Sequence, residues 1–283
     1  MPGDPAVPGR KGFFVRSSFG AQLPNKHDTA GSLLEWAATV ADAADPGAVY
    51  RAKEGRRTLR FQLGESGYFL KLHDGIGWRE WCKNRLQGRT PVTGARDEYL
   101  ALRALSRAGV DTLSIAAFAT TGYNPAKRRS MIVTDELRNT ESLEDACARW
   151  PDSPPSFALR LAIILQLATI ARTMHSAGIN HRDFYLCHFH LDTLAANAGE
   201  VRLHLIDLHR AQLRDQVPYR WRVKDLAALY FSALDCGVTR RDVLRFIQHY
   251  SGTDLRLALR SHRSLWRAVE RRALRMQARG VRG

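Results

Sequence analysis

INHRDFYLCHF (residues 179–189) and LHLID (residues 203–207) decide the fold of this chain. In the first stretch Asp183 follows directly on His181-Arg182. In the second an apolar run, Leu203-His204-Leu205-Ile206, ends on Asp207. A carboxylate displayed on a loop can accept a proton from an attacking hydroxyl, and one at a strand end can hold Mg²⁺ against nucleotide phosphates. Asp207 lies 24 residues after Asp183, which leaves room for a loop and a short hairpin but not another domain. The spacing therefore predicts that the two carboxylates converge on one cleft.

His-Arg-Asp alone is a weak tripeptide, and a loop Asp also serves as a cap or an Asx-turn. Its weight comes from its place. Before it runs Phe157–Ala177, the strongest helical pattern in the chain, closed by Gly178; after it comes the apolar strand that ends on Asp207. Ser142–Trp150 reads as a Ser-capped helix, Pro151–Pro155 as a break, Arg222–Leu234 as a long helix, and 239–279 as helical and Arg-rich. Earlier in the chain β signal dominates. Thr58–Leu63 alternates, Gly64–Gly67 is a turn and Tyr68–Leu72 is a second strand, giving a hairpin that Val49–Ala52 precedes. Ser130–Thr134 is a short buried strand, and 95–108 and Leu33–Ala44 have helical spacing. The pattern predicts an α+β, bilobal chain: an N-terminal extension over 1–48, partly loose; a β-rich lobe over 49–134 that holds the nucleotide; a connector over 135–140; and a helical lobe over 141–283.

Within that plan Lys71 is the phosphate-contacting lysine. It interrupts the apolar strand Tyr68-Phe69-Leu70-Lys71-Leu72, where alternation puts it on the face of Phe69. An edge-strand surface Lys would look the same. What favours function is Glu98, 27 residues later on a helix, where a Lys–Glu pair would fix the ammonium against nucleotide phosphates. Asp97 is a rival partner. Lys53-Glu54-Gly55-Arg56-Arg57 is the candidate nucleotide-covering loop, with Gly55, Arg56 and Arg57 as its contacts, although it carries a single Gly. In the connector, Asp135 and Leu137 complete the candidate cofactor-binding set. His181 and Arg182 join Asp183 and Lys71 as catalytic candidates, and Asp207 with His188 forms the metal set. His188, five residues after Asp183, stands where protein kinases carry a metal-binding Asn, and Leu208-His209 stands where they carry Phe-Gly. A rival reading gathers His181, Cys187, His188 and His190 into a transition-metal site, but the ligands are packed too closely for structural zinc. Asp225 is a candidate support for the catalytic loop.

Composition narrows the class. The 283 residues are 45% hydrophobic and 9% aromatic, as in a folded globular chain. The four cysteines (Cys82, Cys147, Cys187, Cys236) form no CxxC pair and read as thiols of a reducing compartment. MPGDPAVPGRKGFFVRSSFG lacks the apolar core of a secretory leader, and the longest apolar stretch, Leu161–Ala171, falls short of a bilayer span. The expectation is a cytoplasmic protein. Net charge is +15, with 36 Arg and 7 Lys. The Arg/Lys ratio fits a GC-rich genome, but the surplus itself points to an anionic partner. In the tail Arg256, Arg260, Arg263, Arg267, Arg271, Arg272, Arg275 and Arg279 accompany Trp266, Val269, Ala273 and Met276 at helical spacing. That is an amphipathic helix packed on its lobe, or one docked on anionic lipid.

Taken together, these residues resemble the lipopolysaccharide core heptose kinase family (WaaP/RfaP type), which shares the protein-kinase-like fold. The resemblance covers residues 50–250. It rests on RRTLRFQL (56–63), YFLKLH (68–73), GVDT (109–112), HSAGINHRDFYLCHF (175–189), IDLHRAQLR (206–214) and RWRVKDLAALYFS (220–232). Within that family the His-Arg-Asp loop and His188 are ordinary members. The resemblance implies ATP- and Mg²⁺-dependent phosphorylation of the first heptose of the lipopolysaccharide inner core, on its O4 hydroxyl. It also implies peripheral association with the cytoplasmic face of the inner membrane, an acidic acyl carrier protein as partner and no nucleic acid. The alternatives are a protein tyrosine kinase or another small-molecule kinase of this fold, since a fold does not choose its acceptor. A cationic aminoglycoside substrate would be repelled by this charge. A basic nucleic-acid-binding module would explain the charge but not the two Asp segments.

Overall fold

Strands with alternating side chains build the first half of the protein. The computed structural model describes residues 12–53, 55–86, 94–124 and 126–280, the side chains of 51–53, 80, 84 and 85 excepted. It divides into two compact units, one running to Leu102 and resuming over Leu113–Leu137, the other comprising Arg103–Thr112 and Arg138–Gly283.

In the first unit the hairpin of Arg56–Leu63 and Ser66–His73 seeds a six-stranded antiparallel sheet. In chain order the strands are β1 (Gly12–Val15), β2 (Val49–Lys53), β3 (Arg56–Leu63), β4 (Ser66–His73), β5 (Ile115–Thr121) and β6 (Arg129–Asp135). Across the sheet they run β1-β5-β6-β4-β3-β2. Alternation on β4 buries Tyr68, Leu70 and Leu72 and leaves Phe69 and Lys71 on the other, partly open face. Two helices, α1 (Ser17–Gly20) and α2 (Ala30–Asp42), supply Phe19, Leu33, Leu34 and Ala37 to the same core as Leu59, Leu70 and Val133. Two more, α3 (Gly77–Leu86) and α4 (Arg96–Arg107), complete the helices that begin in this unit.

Two expectations change here. Residues 12–48 are not a loose extension: β1 pairs with β5, and α2 buries one face in the sheet's core. Residues 1–11 lie outside the described residues. The sequence also gave no sign of β5. It reads IAAFATT and is buried on both faces, so no polar partner alternates with the apolar residues.

The second unit is mainly helical. Its long helix α6 (Phe157–Ser176) starts where the Ser156 hydroxyl accepts from Leu159 N–H and follows α5 (Leu143–Ala148), capped likewise by Ser142. Over 20 residues, and not merely Leu161–Ala171, α6 is by length and composition the one described helix able to cross a bilayer. Here it buries Ile163, Leu167, Ile170 and Met174 as a core helix. Gly178 then turns the chain with φ +75°, where a Cβ would overlap the Arg214 carbonyl. Three small strands, β7 (Thr140–Ser142), β9 (Phe189–Asp192) and β10 (Leu203–Leu205), form one sheet; β8 (Ile179–Asn180) and β11 (Gln212–Leu213) form another. After β9 comes α7 (Thr193–Asn197), and after β11 come α8 (Tyr219–Ala233), α9 (Arg240–Ser251), α10 (Leu255–Ser261) and α11 (Arg263–Ala278). The two small sheets fix the ends of the 181–188 and 206–211 segments, which carry the candidate chemistry.

Candidate active site

In the first unit β4 and α4 bring Lys71 and Glu98 together. The Lys71 ammonium lies 2.5 Å from Glu98 Oε1, and Glu98 is 1% exposed in the first turn of α4. A buried carboxylate of this kind orients the ammonium and resists removal of its partner. Asp97 is not that partner; burial pushes its carboxyl up, which Arg96 and Arg128 partly oppose.

The remaining nucleotide candidates of this unit fall differently. Arg56 and Arg57 are strand residues of β3, not loop, because the β2–β3 turn is only two residues long. Arg57 is held by Asp42 and by Asp74, so its guanidinium serves the fold and not an open loop. Gly55 is in that turn at φ +71°, and its carbonyl accepts from Asp74 N–H at 2.8 Å. A Cβ there would overlap the Gly75 carbonyl, so the turn packs against residues 74–75. Glu54 lies outside the described residues. Asp135 takes two hydrogen bonds from Arg16, both 2.7 Å, and thereby clamps the chain after β1. Its carboxylate thus forms a fork with the Arg16 guanidinium. Leu137 is half-buried at the end of the unit.

In the second unit β8 delivers His181, Arg182 and Asp183 into a loop whose backbone is held from beneath. Asp225, fully buried in the second turn of α8, accepts from His181 N–H at 2.9 Å and from Arg182 N–H at 2.8 Å. Arg182 takes φ +77°, a left-handed conformation that costs a non-glycine residue and persists only where surrounding bonds enforce it. His181 is fully buried, and burial pushes its pKa down, so it is neutral. Its Nδ1 accepts from Asp183 N–H (3.3 Å) and its Nε2 donates to the Ile206 carbonyl (3.0 Å). His181 is thus a brace between the two segments rather than a proton carrier. The Asp183 carboxylate faces Arg210, whose Nη1 donates to both oxygens at 2.8 and 3.0 Å.

A second imidazole ties Asp183 to Asp207. His188 Nδ1 donates to the Asp183 carbonyl at 2.7 Å, its ring stacks on His181, and its Nε2 lies 3.6 Å from Asp207 Oδ2. At 3.6 Å the two atoms stand too far apart for a hydrogen bond, and both are candidate donors to a cation. Asp207 has φ +58°, and its other oxygen accepts from His209 Nδ1 at 2.7 Å. An oxygen donor matches Mg²⁺, which is usually held through one or two carboxylates plus substrate phosphates and water; the His188 nitrogen is the softer donor. The transition-metal alternative finds no support: no group of three or more His, Cys, Asp or Glu side chains arranged to hold a metal ion occurs among the described residues. Burial also pushes the Cys187 thiol up to about 11, away from the thiolate a metal would need.

Arg210 went unread in the sequence, although it stands three residues after Asp207 in IDLHRAQLR. So did Lys224 and Trp221. Burial and the nearby Arg210 and Arg182 push the Lys224 ammonium down, and Asp183 opposes them.

Residues 41–250 match the lipopolysaccharide kinase (Kdo/WaaP) family. The chain is 50% identical over 234 residues to the lipopolysaccharide core heptose(I) kinase WaaP of Pseudomonas aeruginosa, covering 82% of this chain and 87% of that one. It is 45% identical over 237 residues to the Escherichia coli protein of the same name, covering 83% and 89%. Among solved structures it resembles WaaP in complex with acyl carrier protein, with a TM-score of 0.77 and 41% identity over 93% of this chain and 98% of that one.

Proposed function

This chain belongs to the lipopolysaccharide kinase (Kdo/WaaP) family, and from that premise we propose that it phosphorylates the first heptose of the lipopolysaccharide inner core, on the O4 hydroxyl. It is a phosphotransferase with a kinase-like fold, and in this reading its phosphoryl donor is ATP. The observation that carries this reading is the single His188 imidazole that binds the Asp183 backbone and faces the Asp207 carboxylate.

In this reading each residue takes the following role. Asp183, set by Arg210 and by the Asp225-braced backbone, orients the sugar hydroxyl and accepts its proton. Lys71, aimed by Glu98, contacts the nucleotide phosphates. Asp207, with His188 beside it, would hold Mg²⁺, which when bound would supply neutralisation of charge on the phosphate oxygens. Most of the acceleration then comes from positioning and from fixed charge at the transferring group.

The net charge of +15 supports peripheral association with the anionic cytoplasmic face of the inner membrane, and with an acidic acyl carrier protein as partner. In α11, Leu265, Val269 and Ala273 are buried while Arg263, Arg267, Arg271 and Arg275 are exposed. Labelled phosphate offered as ATP should appear on heptose-bearing core glycolipid. A protein substrate and DNA serve as parallel controls. Transfer to the protein substrate alone would overturn the sugar assignment.

A further inference from the structure

Trp221, near the start of α8, is surrounded by four cations. The Arg182, Arg220 and Arg214 guanidinium carbons lie 5.2, 5.3 and 5.8 Å from the ring centre, and the Lys224 ammonium lies 5.4 Å away. A cation over an indole face is favourable, but one ring does not call for four charges that repel each other. The nearby carboxylates are already engaged. Asp183 is taken by Arg210, and Asp225 accepts the backbone N–H groups of His181 and Arg182. Arg214 donates to Asn180 and Gln212, both uncharged.

Three further observations mark this cluster as waiting for an anion. Arg182 is 9% exposed, and its Nε, like Trp221 Nε1, is buried without a hydrogen-bond acceptor among the described residues. The first turn of α8 has no acidic residue and no side-chain cap, and Arg220, Arg222 and Lys224 instead crowd its positive end. That is the reverse of the charge a helix start favours. Burial and neighbouring like charge push both the Arg182 and Lys224 cations toward their neutral forms.

We propose that Arg182, Arg214, Arg220 and Lys224, gathered around Trp221 beside Asp183, form a subsite for a carboxylate or phosphate group of the acceptor. The proposal rests on the phosphotransfer reading of the same site and adds how the acceptor is chosen. An anion seated here would bring a neighbouring sugar hydroxyl to Asp183, and neutral or cationic sugars would leave the four charges uncompensated. Arg220 and Lys224 are specificity residues in this scheme.

The test combines calorimetric binding of heptose-bearing core glycolipid with transfer kinetics, for the wild type, Arg220→Gln, Lys224→Gln and Lys224→Arg. The Gln variants should raise the acceptor Kd and KM tenfold or more while moving the KM for ATP less than twofold, and Lys224→Arg should recover most of the loss. Acceptor with its carboxylates reduced to alcohols should bind the wild type correspondingly weakly but bind the Gln variants no worse than native acceptor. If dephosphorylated acceptor behaves this way instead, the anion is a phosphate. Unchanged acceptor affinity in the Gln variants, with transfer intact, overturns the subsite and leaves the phosphotransfer reading standing. Variant-sensitive acceptor binding by a wild type that transfers nothing overturns that reading and leaves the subsite.

Discussion

Asp183→Asn keeps the shape of the side chain and its place beside Arg210 but removes the proton acceptor. Turnover should fall by roughly 10²- to 10⁴-fold with ATP affinity preserved, as measured by steady-state kinetics and nucleotide titration. Near-normal turnover would remove Asp183 from the chemistry. Lys71→Met should slow transfer and raise the KM for ATP, because it removes the ammonium that Glu98 aims at the phosphates; an unchanged KM would leave Lys71 with a packing role only. Asp225→Ala strips two backbone N–H groups of their acceptor in a fully buried place. It should cost about 1–3 kcal/mol for each unsatisfied group and lower turnover, read by denaturant melts beside kinetics. At this scale the sequence showed the reactive groups: Asp183, Asp207, Lys71 and Glu98 stand in runs whose neighbours betray them. It did not show their commitments. That Arg57 and Asp135 are occupied by Asp42, Asp74 and Arg16 depends on residues up to 119 positions away in the chain.

The helices were legible where the pattern was amphipathic or capped, as in α5 and α6. They were shifted by a few residues at α2 and α8, whose ends depend on what they pack against. The sheet was legible where side chains alternated, as in β3 and β4, and at the short apolar run of β6, whereas β5, equally buried on both faces, went unread. Asp242 provides a test for elements. It is buried at the start of α9, where Thr239 closes a capping box and Arg160 donates from α6. Burial acts to raise its carboxyl, but the bonds from Thr239 and Arg160 outweigh it and hold the group below its ordinary value of 3.8. A carboxyl depressed in the folded state stabilises above the unfolded pKa and loses that contribution as pH falls through the folded one. The Tm advantage of the wild type over Asp242→Asn should therefore hold at neutral pH and shrink below pH 3.8. A constant difference down to strong acid would refute the linkage.

For the molecule as a whole the governing number is the net charge of +15. Binding to vesicles that contain anionic lipid should weaken steeply between low and physiological salt, since surface attraction is screened over about 8 Å at 0.15 M. Sedimentation that ignores salt would separate the charge from any membrane role. Composition, charge and the two Asp-bearing segments follow from the sequence alone, because charge is additive and each motif is local. The α+β class follows too, because side-chain periodicity is local. Only the tertiary structure decided that residues 12–48 are core, that a strand without alternation lies mid-sheet, and that four cations converge on Trp221. The first two arise from pairing between residues far apart in the chain, and in the third Arg182 is brought from 39 residues away to a ring already flanked by Arg214, Arg220 and Lys224; neither periodicity nor composition encodes which distant surfaces will exclude water together.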